Sequence, residues 1–156
     1  MSMSDLEQAF QLIGRDGNFH GPKPEALIVH AEQVLGLTFP PTYRQFLSRF
    51  GCGSVPSYEF YGLIDDDFEN SSVPDAIWLT LDERRTSQLP ESLVLVSDTG
   101  DGGYYAIDVS QKAPSGDSPI VEWWPGLPTS ASGNRRIVAS DFGVFLLERV
   151  QRTATK

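Results

Sequence analysis

Cysteine and histidine are scarce: Cys52 is the single cysteine, and His20 and His30 are the two histidines, in 156 residues. A lone cysteine excludes an internal disulfide framework and fits a reducing compartment. One thiol and two isolated imidazoles cannot assemble a structural zinc site. The G-x-S-x-G and H-E-x-x-H patterns are missing too, which removes the familiar hydrolase and zinc-protease signatures. No apolar run approaches the ~20 residues of a membrane helix. The opening Met1-Ser2-Met3-Ser4-Asp5 has no basic region leading into an apolar stretch, so no secretory signal is read there. These absences predict a cytoplasmic protein that uses no cofactor and no metal and stays off membranes. No internal repeat, heptad pattern or long linker divides the chain. It reads as one domain over residues 1–156, with its core at about 4–151 and a frayed tail at 152–156.

Positive charge is also scarce, and in one place. Residues 61–111 carry eleven acids (Asp65, Asp66, Asp67, Glu69, Asp75, Asp82, Glu83, Glu91, Asp98, Asp101, Asp108) against Arg84 and Arg85. The flanking segments nearly cancel, so the middle holds the whole formal net charge of -9. Such a field repels nucleic acid and anionic lipid and attracts basic partners. The plainer reading is a solvated acidic surface that serves solubility.

What is present reads as helices first and strands later. Ser4-Asp5-Leu6-Glu7 has the form of a capping box, followed by an apolar stripe at Leu6, Ala9, Phe10 and Ile13 and a stop at Gly14 and Gly17. Residues 15–21 read as a loop. Pro24 opens a second helix with its stripe at Leu27, Ile28, Ala31, Val34 and Leu35, and Gly36 supplies its left-handed C-terminal residue. A third helix starts at Pro41 or Thr42, buries Tyr43, Phe46, Leu47 and Phe50, and stops at Gly51. The period then changes. Ser57–Leu63 alternates like a strand, and 65–72 is an acidic loop. A fourth helix or helical turn runs from Val73 to about Ser87, with Ile77, Trp78 and Leu81 inward. Leu93–Val96 is expected as a central strand. Thr99-Gly100-Asp101-Gly102-Gly103 is a hairpin connection, and Tyr104–Val109 and Pro119–Trp124 return as strands. Residues 125–134 read as a loop, and Ser140 is expected to cap a last helix that buries Phe142, Phe145, Leu146 and Val150. Short connections between the later strands favour an antiparallel sheet. The fold class is therefore α+β, mainly antiparallel sheet with flanking helices.

Few residues suggest chemistry. Cys52 could be a nucleophile if His30 served as its base, but a thiol just after a helix stop is more simply structural. Asp65-Asp66-Asp67-Phe68-Glu69 resembles the start of a calcium loop. The pattern then requires glycine sixth and glutamate twelfth, where Asn70 and Ala76 stand. The glycines at 100–103 lead into a strand beside two aspartates, the wrong setting for a phosphate loop. Trp123-Trp124 and Tyr104-Tyr105 pose a different question. Neighbours in a strand point to opposite faces, so one ring of each pair must be covered by another layer or shown to solvent, where it can anchor a partner.

An ordered set of short motifs resembles the SUKH superfamily, which includes bacterial immunity proteins and a fungal regulator of glucan synthesis and cell-wall integrity. The set comprises Leu35-Gly36; Phe39-Pro40-Pro41-Thr42-Tyr43 with Phe46, Leu47 and Phe50-Gly51-Cys52-Gly53; and Tyr58-Glu59-Phe60-Tyr61-Gly62. It continues with Leu89-Pro90-Glu91-Ser92-Leu93-Val94; Thr99 to Tyr104 leading to Ile107-Asp108; Ile120-Val121-Glu122-Trp123; and Ser140-Asp141-Phe142 with Phe145-Leu146. It covers roughly residues 25–147. The resemblance implies a SUKH-like α+β domain without catalytic residues. In bacterial members it implies binding and neutralising a toxin, often a nuclease. The matched positions are core and turn residues and do not locate a partner surface.

The residues and the resemblance together predict a non-catalytic binding module. Asp65, Asp66, Asp67, Glu69, Asp98 and Asp101 would form the acidic face for a basic protein partner, a toxin domain. Tyr61, Tyr105 and one of Trp123 or Trp124 would be its anchors. The alternatives are a regulatory scaffold of the glucan-synthesis type that binds a cellular protein, and a hydrolase using Cys52 and His30. The sequence sets neither the partner nor the oligomeric state.

Overall fold

The structure is a computed structural model, and it describes residues 2–126 and 135–154. Its elements are α1 (Ser2–Asp16), β1 (Asn18–Phe19), α2 (Glu25–Leu35), α3 (Pro41–Phe50), β2 (Gly53–Val55), β3 (Tyr58–Phe60), α4 (Ala76–Thr86), β4 (Leu93–Asp98), β5 (Tyr104–Asp108), β6 (Ile120–Trp123), β7 (Ile137–Ala139) and α5 (Phe142–Ala154). The strands form two antiparallel sheets, ordered β1-β2-β3 and β4-β5-β6-β7. The expected α+β class with antiparallel sheet and flanking helices is what the chain adopts.

The larger sheet is buried on both faces, and its side chains alternate between two cores. Val94, Val96, Ile107 and Ile120 face the main core, which also holds Leu6, Ile28, Phe46 and Phe145 from α1, α2, α3 and α5. Leu93, Leu95, Ala106, Val121 and Trp123 face a second core roofed by Ala76 and Leu79 of α4. Two-sided burial explains the unbroken apolar run Leu93–Val96, since a strand covered on both faces need not alternate with polar residues.

Helix α3 is the hub of the main core. Tyr43 and Phe46 are fully buried, and both rings lie about 5.0 Å from the Phe142 ring. The Tyr43 hydroxyl donates to the Tyr61 carbonyl at 2.8 Å. Pro40 precedes the helix without a side-chain cap. The cap comes instead from Asp117, whose Oδ1 accepts from both the amide and the hydroxyl of Thr42.

Several expectations need correction. Ser4 does not cap α1, because the helix already runs from Ser2 and continues through Gly14 to Asp16. The loop read at 15–21 contains β1, which pairs with β2, and β2 and β7 were also unforeseen. Val34 is exposed and leaves the α2 stripe. Strand β4 lies at the edge of its sheet, not at the centre. The N-cap acceptor of α5 is Asp141, which takes the Val144 amide, in place of Ser140. Thr153 is still helical and donates its hydroxyl to the Pro56 carbonyl at 2.9 Å, so the expected tail is helix as far as Ala154. Most of the loop read at 125–134 and the last two residues lie outside the described residues.

The edge position of β4 creates a backbone demand that neighbours meet. The Leu95 amide donates to Oγ1 of Thr80 on α4 at 3.1 Å. The Val96 carbonyl accepts from the Tyr61 amide at 2.8 Å, and the Ser97 hydroxyl donates to the Glu59 carbonyl at 2.6 Å. Thr80 is fully buried, so Thr80→Val keeps the shape and orphans a buried N–H. It should lower unfolding stability by about 1–3 kcal/mol, whereas Thr80→Ser should cost clearly less. Urea denaturation of the two variants checks this.

Candidate functional site

The acidic loop between β3 and α4 is closed at its base. Gly62 pairs with Asp75 as an isolated parallel bridge. The Gly62 amide donates to the Pro74 carbonyl and the Ala76 amide to the Gly62 carbonyl. Gly62 is obligatory there, because a Cβ would stand 1.8 Å from the Gly51 carbonyl oxygen. Asp75 then caps α4, its Oδ1 accepting from the amides of Ile77 and Trp78 at 2.9 and 3.0 Å. The chain thus leaves and re-enters one point, and the residues between run as a loop that sends Leu63 and Phe68 back into the core.

Within that loop Asp65, Asp66, Asp67 and Glu69 are exposed and Phe68 is buried. Asp65 and Asp67 use their carboxylates to fold the loop: the Asp67 amide donates to Asp65, and the Glu69 and Asn70 amides donate to Asp67. Those backbone bonds hold the Asp67 carboxyl below its usual range. Phe68 turns inward and stacks on His30 of α2, with ring centroids 5.5 Å apart. The resemblance to a calcium loop goes no further, for no group of three or more His, Cys, Asp or Glu among the described residues is arranged to hold a metal ion.

Asp98 and Asp101 are exposed at the β4–β5 hairpin. Asp98 is tied inward, accepting from the Tyr61 hydroxyl at 2.9 Å. It pairs across the sheet with Tyr104, which pairs in turn with Trp123, so the three share one face. Burial, then the bond to Asp98, raises the Tyr61 phenol far above its ordinary value. Burial also raises Tyr104, and every charged neighbour acting on it is an acid: Glu83, Asp98 and Asp82. Half-buried Glu59 is pushed up by burial and by Asp98.

Helix α4 connects this group to the loop. Between them lies a cleft of about 420 Å³ lined by Phe68, Glu69, Trp78, Leu81, Asp82 and Arg85. Asp82 therefore lines the cleft together with Glu69 and also acts on Tyr104, as Asp98 does.

The aromatic anchors are mostly redistributed. Tyr61 and Trp123 are 3% and 2% exposed, too deep to meet a partner. Tyr105 is half-buried but faces the other side of the sheet, against Phe145 at 5.2 Å and under the Arg149 guanidinium at 4.8 Å. Trp124 is half-buried and lies flat on the hairpin, where a Cβ at Gly103 would meet its ring at 2.7 Å. The residues that sequence reasoning missed are Phe68, Trp78, Asp82, Glu83, Glu59 and Tyr104. Trp78 and Asp82 were legible as one helix face by their four-residue spacing, and Phe68 as a lone apolar residue among acids.

The thiol–imidazole pair does not assemble. Cys52 is fully buried, and burial pushes its thiol up to about 12, which leaves almost no thiolate at neutral pH. His30 is occupied with Phe68 at the base of the acidic loop.

Asp75 supplies a pH test of the loop closure. It is fully buried, and burial outweighs its two backbone bonds, so its carboxyl sits above its ordinary value. A raised folded value means that this group favours the fold most below about pH 4 and loses that contribution as pH rises through the raised value. Asparagine caps a helix as well as aspartate and carries no charge. Asp75→Asn should therefore gain stability relative to the parent between pH 4 and pH 7, read from urea midpoints at both pH values. Asp75→Ala, which loses the cap, should be less stable than Asp75→Asn at both.

Comparison with known proteins places this architecture. The family model described as SMI1-KNR4 cell-wall (SUKH_6) matches residues 25–146. A solved structure, a protein from Pseudomonas syringae pv. tomato, superposes with a TM-score of 0.52 at 16% identity, over 78% of this chain and 89% of the other. At that identity the likeness is one of fold. The search of curated proteins gives no match. No helix among the described residues is long and apolar enough to cross a membrane. Matched from α2 into α5, through both sheets and the closed acidic loop, the chain belongs to the SMI1-KNR4 cell-wall family of SUKH proteins.

Proposed function

We propose that this protein is a non-catalytic binding module of the immunity kind. It acts in the cytoplasm, where it captures a basic protein partner, a toxin domain and often a nuclease, and blocks it by covering its surface. The observation that carries this reading is the gathering of Glu69, Asp82, Glu83, Asp98 and Glu59 about α4 and the end of β3. Glu59 and Asp98 face each other there as like charges. A cation from a partner would relieve that repulsion, and the long-range field would speed encounter. Nucleases present basic surfaces because they bind phosphate backbones, so the complementarity suits them.

A second reading, a regulatory scaffold that binds a cellular protein, is favoured by the cell-wall wording of the matched family. The two readings share a surface and differ in the partner. A large toxin gene adjacent to this one supports the first, and a setting among metabolic genes supports the second.

The test uses the full chain and the basic protein that it captures from the product of the adjacent gene. Asp65, Asp66, Asp67, Asp98 and Asp101 are changed together to asparagine and Glu69 to glutamine, substitutions that keep the loop and Tyr61 acceptors. The association rate at low salt should fall by about tenfold or more, and its salt dependence should flatten, while dissociation changes little. An association rate unchanged by the six substitutions sinks the electrostatic reading.

A further inference from the structure

The cleft between the acidic loop and α4 has the chemistry of a receptor for one particular side chain. Its floor and one wall are apolar: Phe68 is 6% exposed, and Leu81 and the Trp78 indole are half-buried. Its two carboxylates come from different elements, Glu69 from the loop and Asp82 from the helix. Asp82 is already paired, with Nη2 of Arg85 at 2.5 Å, and that arginine side chain is 71% exposed. The Glu69 carboxylate has no ion pair or side-chain hydrogen bond among the described residues. One negative charge in the cleft is therefore unmatched. In a contrasting hollow near Pro41 neither carboxylate is left without a bond, because Arg44 there bonds both Glu25 and Glu32.

We infer that the cleft takes an arginine side chain of the partner, with the guanidinium lying over Trp78 and bridging Glu69 and Asp82. This rests on the reading of the acidic face as a docking surface, and it names where on that face the partner is gripped. Arginine fits better than lysine for two reasons. Its planar guanidinium stacks on an indole while its edge donates to carboxylates on two sides, whereas an ammonium is a compact, strongly hydrated charge. Arg85 is the internal precedent: the group already held at the rim is a guanidinium. Trp78 and Phe68 shield the contact from water, which strengthens a charged hydrogen bond. Electrostatic steering by the outer acids and a sheltered arginine near the centre then divide the work between speed of encounter and lifetime of the complex.

The experiment measures binding of hexaarginine and hexalysine peptides to the full chain at low salt, following the Trp78 indole resonance by NMR, with its assignment fixed by Trp78→Phe. Both peptides should bind. Hexaarginine should bind about three- to tenfold more tightly, with a saturating shift of the Trp78 indole. Glu69→Gln lies on the exposed loop and leaves the core untouched. It should bring the ratio towards one, as should Trp78→Leu. Equal affinities in the parent chain, or a preference that survives both substitutions, overturn the cleft and leave the acidic face standing. Failure of both peptides to bind at low salt removes the face itself and the cleft with it.

Discussion

The edge of β4 is the constraint on which the arrangement depends. An edge strand buried between two cores cannot leave its amides and carbonyls to water. Here two backbone groups on the open side are met by unlike partners, Thr80 from α4 and the Tyr61 amide just past β3, and the Ser97 side chain adds a bond to the Glu59 carbonyl. Each contact recruits a different element. The Tyr61 bond joins the small sheet to the large one. The Thr80 bond fixes α4 against the second face of the sheet. Once both are made, the segment between β3 and α4 loops out with only Leu63 and Phe68 returned to the core, and its Glu69 lines the cleft beside α4.

That geometry also sorts the aromatic residues. With α4 on one face of the sheet and α5 on the other, the alternation of β5 and β6 decides where each ring goes. Tyr104 and Trp123 share the α4 face, and Tyr105 goes to Phe145 and Arg149. The rings that look most available for recognition in a bare sequence are thus largely spent on structure. Tyr61 illustrates the point. Its carbonyl receives the Tyr43 hydroxyl, its amide serves β4 and its own hydroxyl holds Asp98. It is an organiser of the acidic face and not a contact on it.

The parts of this that the sequence made legible are those with local causes. The bounds of α2 and α3 follow from Pro24, Gly36, Pro41 and Gly51, whose backbone preferences act within a few residues. The β4–β5 hairpin follows from its run of glycines for the same reason. Strands β1, β2 and β7 are two or three residues long, too short for a period of two to register, and pairing with distant partners makes them strands. The cap of α3 comes from Asp117, 75 residues away in sequence. No local pattern encodes such a contact. The candidate site divides in the same way. The concentration of acids was plain from counting. That Glu69 and Asp82 would line one cleft required the closure of Gly62 on Asp75, a contact across the base of the loop.

A division of labour follows from where the charges sit. Acids with structural duties are buried or bonded: Asp75 caps α4, Asp117 caps α3, and Asp108 gathers the Ser110 amide and hydroxyl and the Gln111 amide. Among the described residues Asp66 and Glu69 carry no comparable side-chain bond, and they stand on a loop whose closure depends on other residues. Substitution at such positions changes the field presented to a partner while leaving the cores and helix caps intact. The same is not true of Glu59 and Asp98, which are held near each other by the seam between the sheets. Tyr61 bonds the Asp98 carboxylate, and Ser97 bonds the Glu59 carbonyl. The acids at the seam are thus tied to the fold by their neighbours, whereas those of the loop are set apart from the contacts that hold the sheets together.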